Sequence, residues 1–298
     1  MRGRGFTQDA AAFETALAAL ASSPLRGRLH PGDRVEPFSR APRTGRINDD
    51  GLPRALPPRN LSPVLQFRLF GIPVNVEPWF WATAFLLGGG LDIRDKRSLL
   101  FVGLWMILVF VSILVHELGH ALSGRRLAGG RPAIRLWAFG GLAYNEGGRF
   151  TKKSRLIMIL AGPGAGFLLF GAVVAGILIA FPGRSGWELT RALVVGGVPD
   201  DPRAALFVLS GTPTVFVLYS LLWINLWWGL VNLLPVHPLD GGQFAAEFIS
   251  SRRRVHLIGL VVAAGVAAAA LVLKEVFVAL LFGFLAWQNY ENMKRLAF

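Results

Sequence analysis

The stretch SILVHELGHALSG, residues 112–124, sets two histidines and a glutamate at the end of a run of apolar side chains. Positions four apart on a helix share a face, so His116 and His120 can offer two imidazoles to one ion, with Glu117 alongside as a proton acceptor. This is the spacing of zinc ligands with a resident base. An ionisable group deep in a membrane span costs about 2.5–3.5 kcal/mol on insertion scales, so three together call for pairing, solvation or a metal. The plainer alternative is a polar helix end that has just left the bilayer, since ALSGRRL follows and Arg125 marks an exit.

Two histidines leave a zinc site incomplete, and a third ligand has to come from elsewhere. NLLPVHPLDGG, residues 232–242, is the strongest source. Pro235 and Pro238 forbid regular helix there, Gly241 and Gly242 permit a tight turn, and Asp240 supplies a carboxylate. His237 competes for the position; between two prolines it reads first as a solvated or hydrogen-bonded residue, which leaves Asp240 preferred. The plainer role for Asp240 is to cap the helix after the turn. Asn225 and Asn232 are seven apart, hence on one helix face that should look into a bundle. Interhelical hydrogen bonding accounts for Asn225, whereas Asn232 is balanced between that role and donation to a substrate carbonyl.

The elements that must hold these groups are set by composition. Of 298 residues, 53% are hydrophobic and 16% charged, which is the profile of a membrane protein. There is no cysteine, so disulfides, thiolate zinc sites and thiol nucleophiles are excluded. The net charge of +13 lies between apolar segments rather than along one stripe, which points to the lipid bilayer as partner and away from nucleic acid. Six apolar runs, near 79–91, 98–122, 156–181, 213–234, 255–273 and 275–290, predict membrane-spanning helices, the first and last of them short. Trp79, Trp81, Trp187 and Trp287 fall near span ends, as interfacial anchors do. Of the 31 lysines and arginines, 24 lie in the segments that this count puts on one side, so both termini are expected in the cytoplasm.

Residues 1–60, rich in Arg, Pro, Gly and Ala, read as a disordered basic tail with at most a short helix in AAAFETALAALA, and 61–298 as the membrane-embedded domain. LQFRLFGIPVNVEP reads as a short strand or interfacial segment. Ile134, Leu136 and Ala138 alternate with Arg135, Trp137 and Phe139 before Gly140 and Gly141, which suggests either a hairpin whose edge could accept an extended peptide or, with equal weight, an interfacial loop with a turn. AGPGAGF, from Ala161, supplies small residues for close helix packing. The expected fold is an all-α polytopic membrane protein of about six transmembrane helices with a small membrane-associated β-hairpin.

Taken together, H-E-x-x-H at 116–120 and the later N-x-x-P…D-G of Asn232, Pro235, Asp240 and Gly241 resemble the site-2 protease family of intramembrane zinc metalloproteases. FGG at 139–141 and AGP at 161–163 look like two further landmarks of that family, and the likeness covers roughly 67–290, nearest to the compact six-span, sporulation-type members. The resemblance implies Zn²⁺ held by His116, His120 and Asp240, Glu117 as the base that takes a proton from water, and Asn232 as an aid to the developing oxyanion. It implies a single-span or membrane-associated protein as substrate, regulated intramembrane proteolysis as the setting, and the bacterial inner membrane as the location. Gly166 stands where family members often carry asparagine. The loop 182–203 is too short for a PDZ domain, and no CBS domain is expected after Phe298. The competing classes are an inactive binding or assembly protein that keeps the fold, which would not need Glu117, and a zinc transporter, whose ligands should be strung through several spans.

Overall fold

The apolar run that carries the histidines becomes one long helix in the computed structural model, which describes residues 65–296. The basic tail expected at 1–60 lies outside the described residues. In chain order the elements are β1 (Leu65–Leu69), β2 (Ile72–Val76), α1 (Pro78–Leu87), α2 (Lys96–Ala128), β3 (Arg131–Trp137), β4 (Gly140–Glu146), α3 (Lys152–Ala180), α4 (Arg184–Val195), α5 (Pro202–Leu209), α6 (Pro213–Asn232), α7 (Asp240–Ala246), α8 (Arg252–Val272) and α9 (Val276–Arg295). Four of them, α2, α3, α6 and α8, are long and apolar enough to cross a membrane. The run expected as the first span forms only the ten residues of α1 before a 3-10 turn at Gly90–Asp92, about 15 Å of helix against a hydrocarbon core of about 30 Å. The expected sixth run is the twenty-residue α9, whose second half turns polar from Gln288 onward.

Local chemistry explains where the site helices begin and end. The Asp95 carboxylate accepts a hydrogen bond from the Ser98 amide at 2.7 Å, and Ser98 bonds back to the Asp95 amide, a capping box that starts α2. Its last turn carries Arg125 and Arg126 and stops at Gly129, whose φ of +67° favours glycine. Thr151 and Ser154 form the same kind of box at the head of α3. Pro235 and Pro238 keep α6 from continuing past Asn232, and the chain loops through Leu239 before α7 starts at Asp240.

The β structure is larger than the expected hairpin. β1 and β2 join β3 and β4 in a four-stranded sheet of order β1-β2-β3-β4, antiparallel at both edges and parallel in the middle. The parallel pair is possible because α1 and α2 make the crossover from β2 to β3. The sequence alone left 65–76 between strand and interfacial segment, because the partner of β2 is some sixty residues away and strand pairing at that range has no local signature. Ile72, Val74, Val76, Ile134 and Leu136 alternate onto one face, are wholly buried, and belong to a core with Leu114, Leu118 and Ala121 of α2. The sheet therefore lies along the helix that bears the histidines.

The connection at 182–203, read from sequence only as a loop, holds α4. Leu189 and Leu193 pack with Ala204 of α5, Ile177 of α3 and Leu222 of α6. Glu188 pairs with Arg184 and accepts from the Asp201 amide at 2.6 Å, and Asp201 in turn caps α5. Leu189, Thr190, Ala192 and Leu193 are buried on one face of a short amphipathic helix, a pattern that a search for long apolar runs passes over.

α2 and α3 cross so closely that a Cβ added to Gly119 would run into the backbone carbonyl of Ala161, whereas one added to Gly103 on the same helix would meet nothing. Gly119→Ala should therefore cost about 1–3 kcal/mol by overpacking against backbone, while Gly103→Ala should be neutral or gain up to about 1 kcal/mol of helix propensity. Thermal unfolding of the two purified variants in one detergent checks the contrast.

Candidate metal centre

His116 and His120 are buried on α2, one turn apart, with ring centroids at 4.9 Å. Asp240 reaches them across the bundle from the first turn of α7. Its Oδ2 lies 3.1 Å from His116 Nε2 and its Oδ1 lies 3.3 Å from His120 Nε2, and the two Nε2 atoms are 3.2 Å apart. Asp240 makes no capping bond to the amides of its own helix. The carboxylate is spent on the histidines instead.

The donor set can be tested against a metal directly. His120 Nδ1 faces the Met158 carbonyl at 2.8 Å, and a carbonyl only accepts, so Nδ1 bears the proton and Nε2 turns a lone pair toward His116 and Asp240. Lone pairs and a carboxylate crowded within 3.3 Å of one another repel unless a proton or a metal ion lies among them. Zinc bonded to nitrogen and oxygen at about 2.0–2.1 Å in tetrahedral geometry separates its ligands by about 3.3–3.4 Å, close to the three distances found. The histidine whose second nitrogen donates to a carbonyl is also the usual outer support of a metal ligand. His116, His120 and Asp240 are the one group among the described residues whose donor atoms converge in this way.

Two glycines make room for the site. A Cβ on Gly162 would overlap the His120 imidazole, and one on Gly141 would overlap the Glu117 carboxyl. AGP is thus more than packing. Gly162 lets α3 pass beside His120, while Pro163 cannot bond to the Ile159 carbonyl and opens that turn of α3, next to the Met158 carbonyl that receives the His120 proton. FGG likewise places β4 against Glu117: Gly141 pairs with Leu136 on β3, and the Ala143 backbone faces the glutamate carboxyl. Reading the sequence as a string of packing and turn residues missed these clearances. The signal was the position of each glycine beside a motif, which only the meeting of α2 with α3 and β4 explains.

Glu117 stands one residue on from His116, rotated out of the ligand triangle, and lines a cavity of about 330 Å³ with the three ligand residues. Asn232 lines the same cavity, its Nδ2 donating to the Trp228 carbonyl at 2.9 Å, so one of its two amide protons is committed to its own helix. His237, the alternative third donor, points elsewhere. Its ring packs edge-on against His256 at 5.2 Å, and burial together with His256 holds its imidazole below the usual pKa. Asn225 donates to Ser112 on α2 at 3.0 Å, which is the interhelical bond its position suggested. Gly166 lies against Asn225 rather than against the histidines, at ordinary contact distance.

Comparison with known proteins agrees with this geometry. The model of peptidase family M50 matches residues 104–274, a span that takes in every ligand and Glu117. The chain belongs to peptidase family M50, the site-2 protease family. It is 30% identical over 197 residues to Rip3 of Mycobacterium tuberculosis, covering 62% of this chain and 43% of that one. It is 27% identical over 186 residues to the zinc metalloprotease MJ0392 of Methanocaldococcus jannaschii, covering 62% and 45%. Stage IV sporulation protein FB of Bacillus subtilis is 25% identical over 193 residues, covering 63% and 53%. The chain therefore spans about half the length of the relatives it matches. Among solved structures, the site-2 protease from Methanocaldococcus jannaschii shares the fold at a TM-score of 0.50 and 22% identity, over 77% of this chain and 94% of that one.

The two clearances separate metal binding from the base. Gly162→Ala should displace His120 and lower the zinc content of the purified protein, whereas Gly141→Ala should displace Glu117 and leave zinc bound. Elemental analysis of both variants after dialysis checks this, with Asp240→Ala, which should lose most of its metal, as the reference.

Proposed function

We propose that this chain is a zinc-dependent intramembrane endopeptidase, one that hydrolyses peptide bonds in or near a transmembrane segment of a single-span or membrane-associated protein. The observation that carries the reading is the convergence of His116, His120 and Asp240 beside a buried Glu117, inside an apolar helix bundle and open to one cavity. A zinc ion bound there supplies Lewis acidity and lowers the pKa of water. His116, His120 and Asp240 would hold it, with the Met158 carbonyl fixing the orientation of His120.

Glu117 is placed to take a proton from water and to pass it to the leaving amide nitrogen. Its carboxyl faces the Ala143 backbone, and Gly141 leaves it no competing side chain on that side. The second amide proton of Asn232 would donate to the oxyanion that develops on the scissile carbonyl. A helical substrate hides its carbonyls in its own hydrogen bonds, so the segment must be extended to react. β4 is an edge strand that lines the cavity beside Glu117, and it would hold that segment by adding it to the sheet.

In this reading α1 and α9 bring the crossings to six, α1 by local thinning of the bilayer. The C-terminal end of α2 and the N-terminal ends of α3 and α8 carry Arg125, Arg126, Lys152, Lys153 and Arg252 to Arg254, which supports placing them, and both termini, on the cytoplasmic side. The Arg155–Glu247 pair at 3.4 Å ties the head of α3 to the end of α7 on that same side. A bacterial inner membrane and a role in regulated intramembrane proteolysis complete the proposal.

Glu117→Gln in the reconstituted protein should keep its zinc and lose about 10²–10⁴-fold in cleavage of a single-span substrate. A zinc chelator should abolish cleavage by the unmodified protein, and full activity in either case would reject the assignment.

A further inference from the structure

The cavity over the metal ligands is closed on one side by the β3–β4 hairpin and on another by α9. Phe139, at the hairpin turn, stacks on Phe284 of α9 at 5.6 Å and 19°, and Trp137 meets Phe139 edge-on. Of the α9 side chains that line the cavity, Leu281, Phe282, Phe284 and Leu285 are apolar and only Gln288 is polar. Gln288 lies one turn beyond Phe284, on the same face.

The Gln288 carboxamide is unspent. Its Oε1 is shut away from solvent and has no hydrogen-bond donor in reach among the described residues. The next residue, Asn289, shows the contrast. Its Nδ2 donates to the carbonyls of His237 at 2.6 Å and Leu285 at 2.8 Å, and its Oδ1 accepts from His256 at 3.0 Å. Of the other carboxamides at the cavity, Gln243 donates to the Pro238 carbonyl and Asn232 to the Trp228 carbonyl. A buried acceptor without a donor is costly, and on a side chain that lines the cavity a small rotation of the carboxamide brings it to a partner arriving from outside.

We infer that Gln288 is a substrate-binding residue whose Oε1 accepts a hydrogen bond from a main-chain N–H of the extended substrate. The inference rests on the proposed function in one respect, that an extended peptide enters this cavity. A strand has hydrogen-bonding groups along both edges. β4 can pair with one edge; the other then faces apolar side chains of α9, where each unmet N–H is costly. Gln288 meets one of those groups without reading the substrate's side chains. Its contribution is therefore to binding an unwound segment, whatever its sequence.

The test uses a synthetic single-span peptide of about 24 residues, a leucine–alanine core with an Asn-Gly pair near one end. It is made with all amides and as a set in which one backbone N–H at a time becomes an ester oxygen. Binding is measured to the full chain in nanodiscs, carrying Glu117→Gln to prevent turnover, with and without Gln288→Leu. We expect Gln288→Leu to weaken binding about tenfold at unchanged zinc content, the scale of one buried hydrogen bond. One ester position should reproduce that loss with Gln288 present and add nothing in Gln288→Leu. Equal affinity of the two proteins, or ester penalties identical in both, overturns the inference. Cleavage of the all-amide peptide by the protein that keeps Glu117 is scored separately: its absence, with the Gln288 coupling intact, counts against the protease reading and not against this one.

Discussion

The constraint on which the rest of the structure depends is the burial of a carboxylate and two imidazoles at one point inside an apolar bundle. Asp240, His116 and His120 each expose less than a tenth of their surface, so little solvent is left to share their charge or lone pairs. Such groups are tolerated in a low-dielectric interior only when they satisfy one another or hold a cation. Much of the fold follows from meeting that condition. α2 delivers two ligands by its helical period; the broken end of α6 delivers the third; and α3 contributes a carbonyl that fixes the orientation of one ring.

Close approach of backbones is what makes the arrangement fit. Gly119 lets α2 and α3 touch, Gly162 leaves space for His120, and Gly141 leaves space for Glu117. Gly241 and Gly242 do the same for the loop, where a Cβ would meet the backbone of Leu233, Val236 or His237. These positions have no chemistry of their own. They set the distances at which chemistry becomes available, and in a lipid environment, where helices gain little by hiding apolar surface from one another, small residues at contacts are also what lets helices pack. The sheet plays a comparable part by pressing one edge strand against Glu117 and leaving its outer edge open beside the cavity.

Apolar composition and a second cavity wall bear on how a substrate is held. The walls supplied by β4 and α9 differ in kind: one is a row of backbone groups, the other a helix face with a single carboxamide among hydrophobic side chains. A peptide in helical form would match neither wall. Under the proposed function an extended one would pair with the first and leave its far edge to the second, and the cavity would then select for a backbone conformation before it selects for any residue.

Much of this molecule was legible in its sequence because the relevant signals are local. The i, i+4 spacing of His116 and His120, the adjacent Glu117, the prolines that stop α6 and the long apolar runs of α2, α3, α6 and α8 each lie within a few turns of chain. There the period of a helix and the geometry of proline decide the outcome. What the tertiary structure alone decided is long-range. Asp240 lies 124 residues from His116, and the separation of their donor atoms depends on how α6 and α7 meet α2. The parallel pairing of β2 with β3, the clearances at Gly141 and Gly162 and the unspent carboxamide of Gln288 likewise arise only when distant segments are brought into contact. Local sequence constrains local dihedral angles and faces, whereas the meeting of faces is settled by packing over the whole chain.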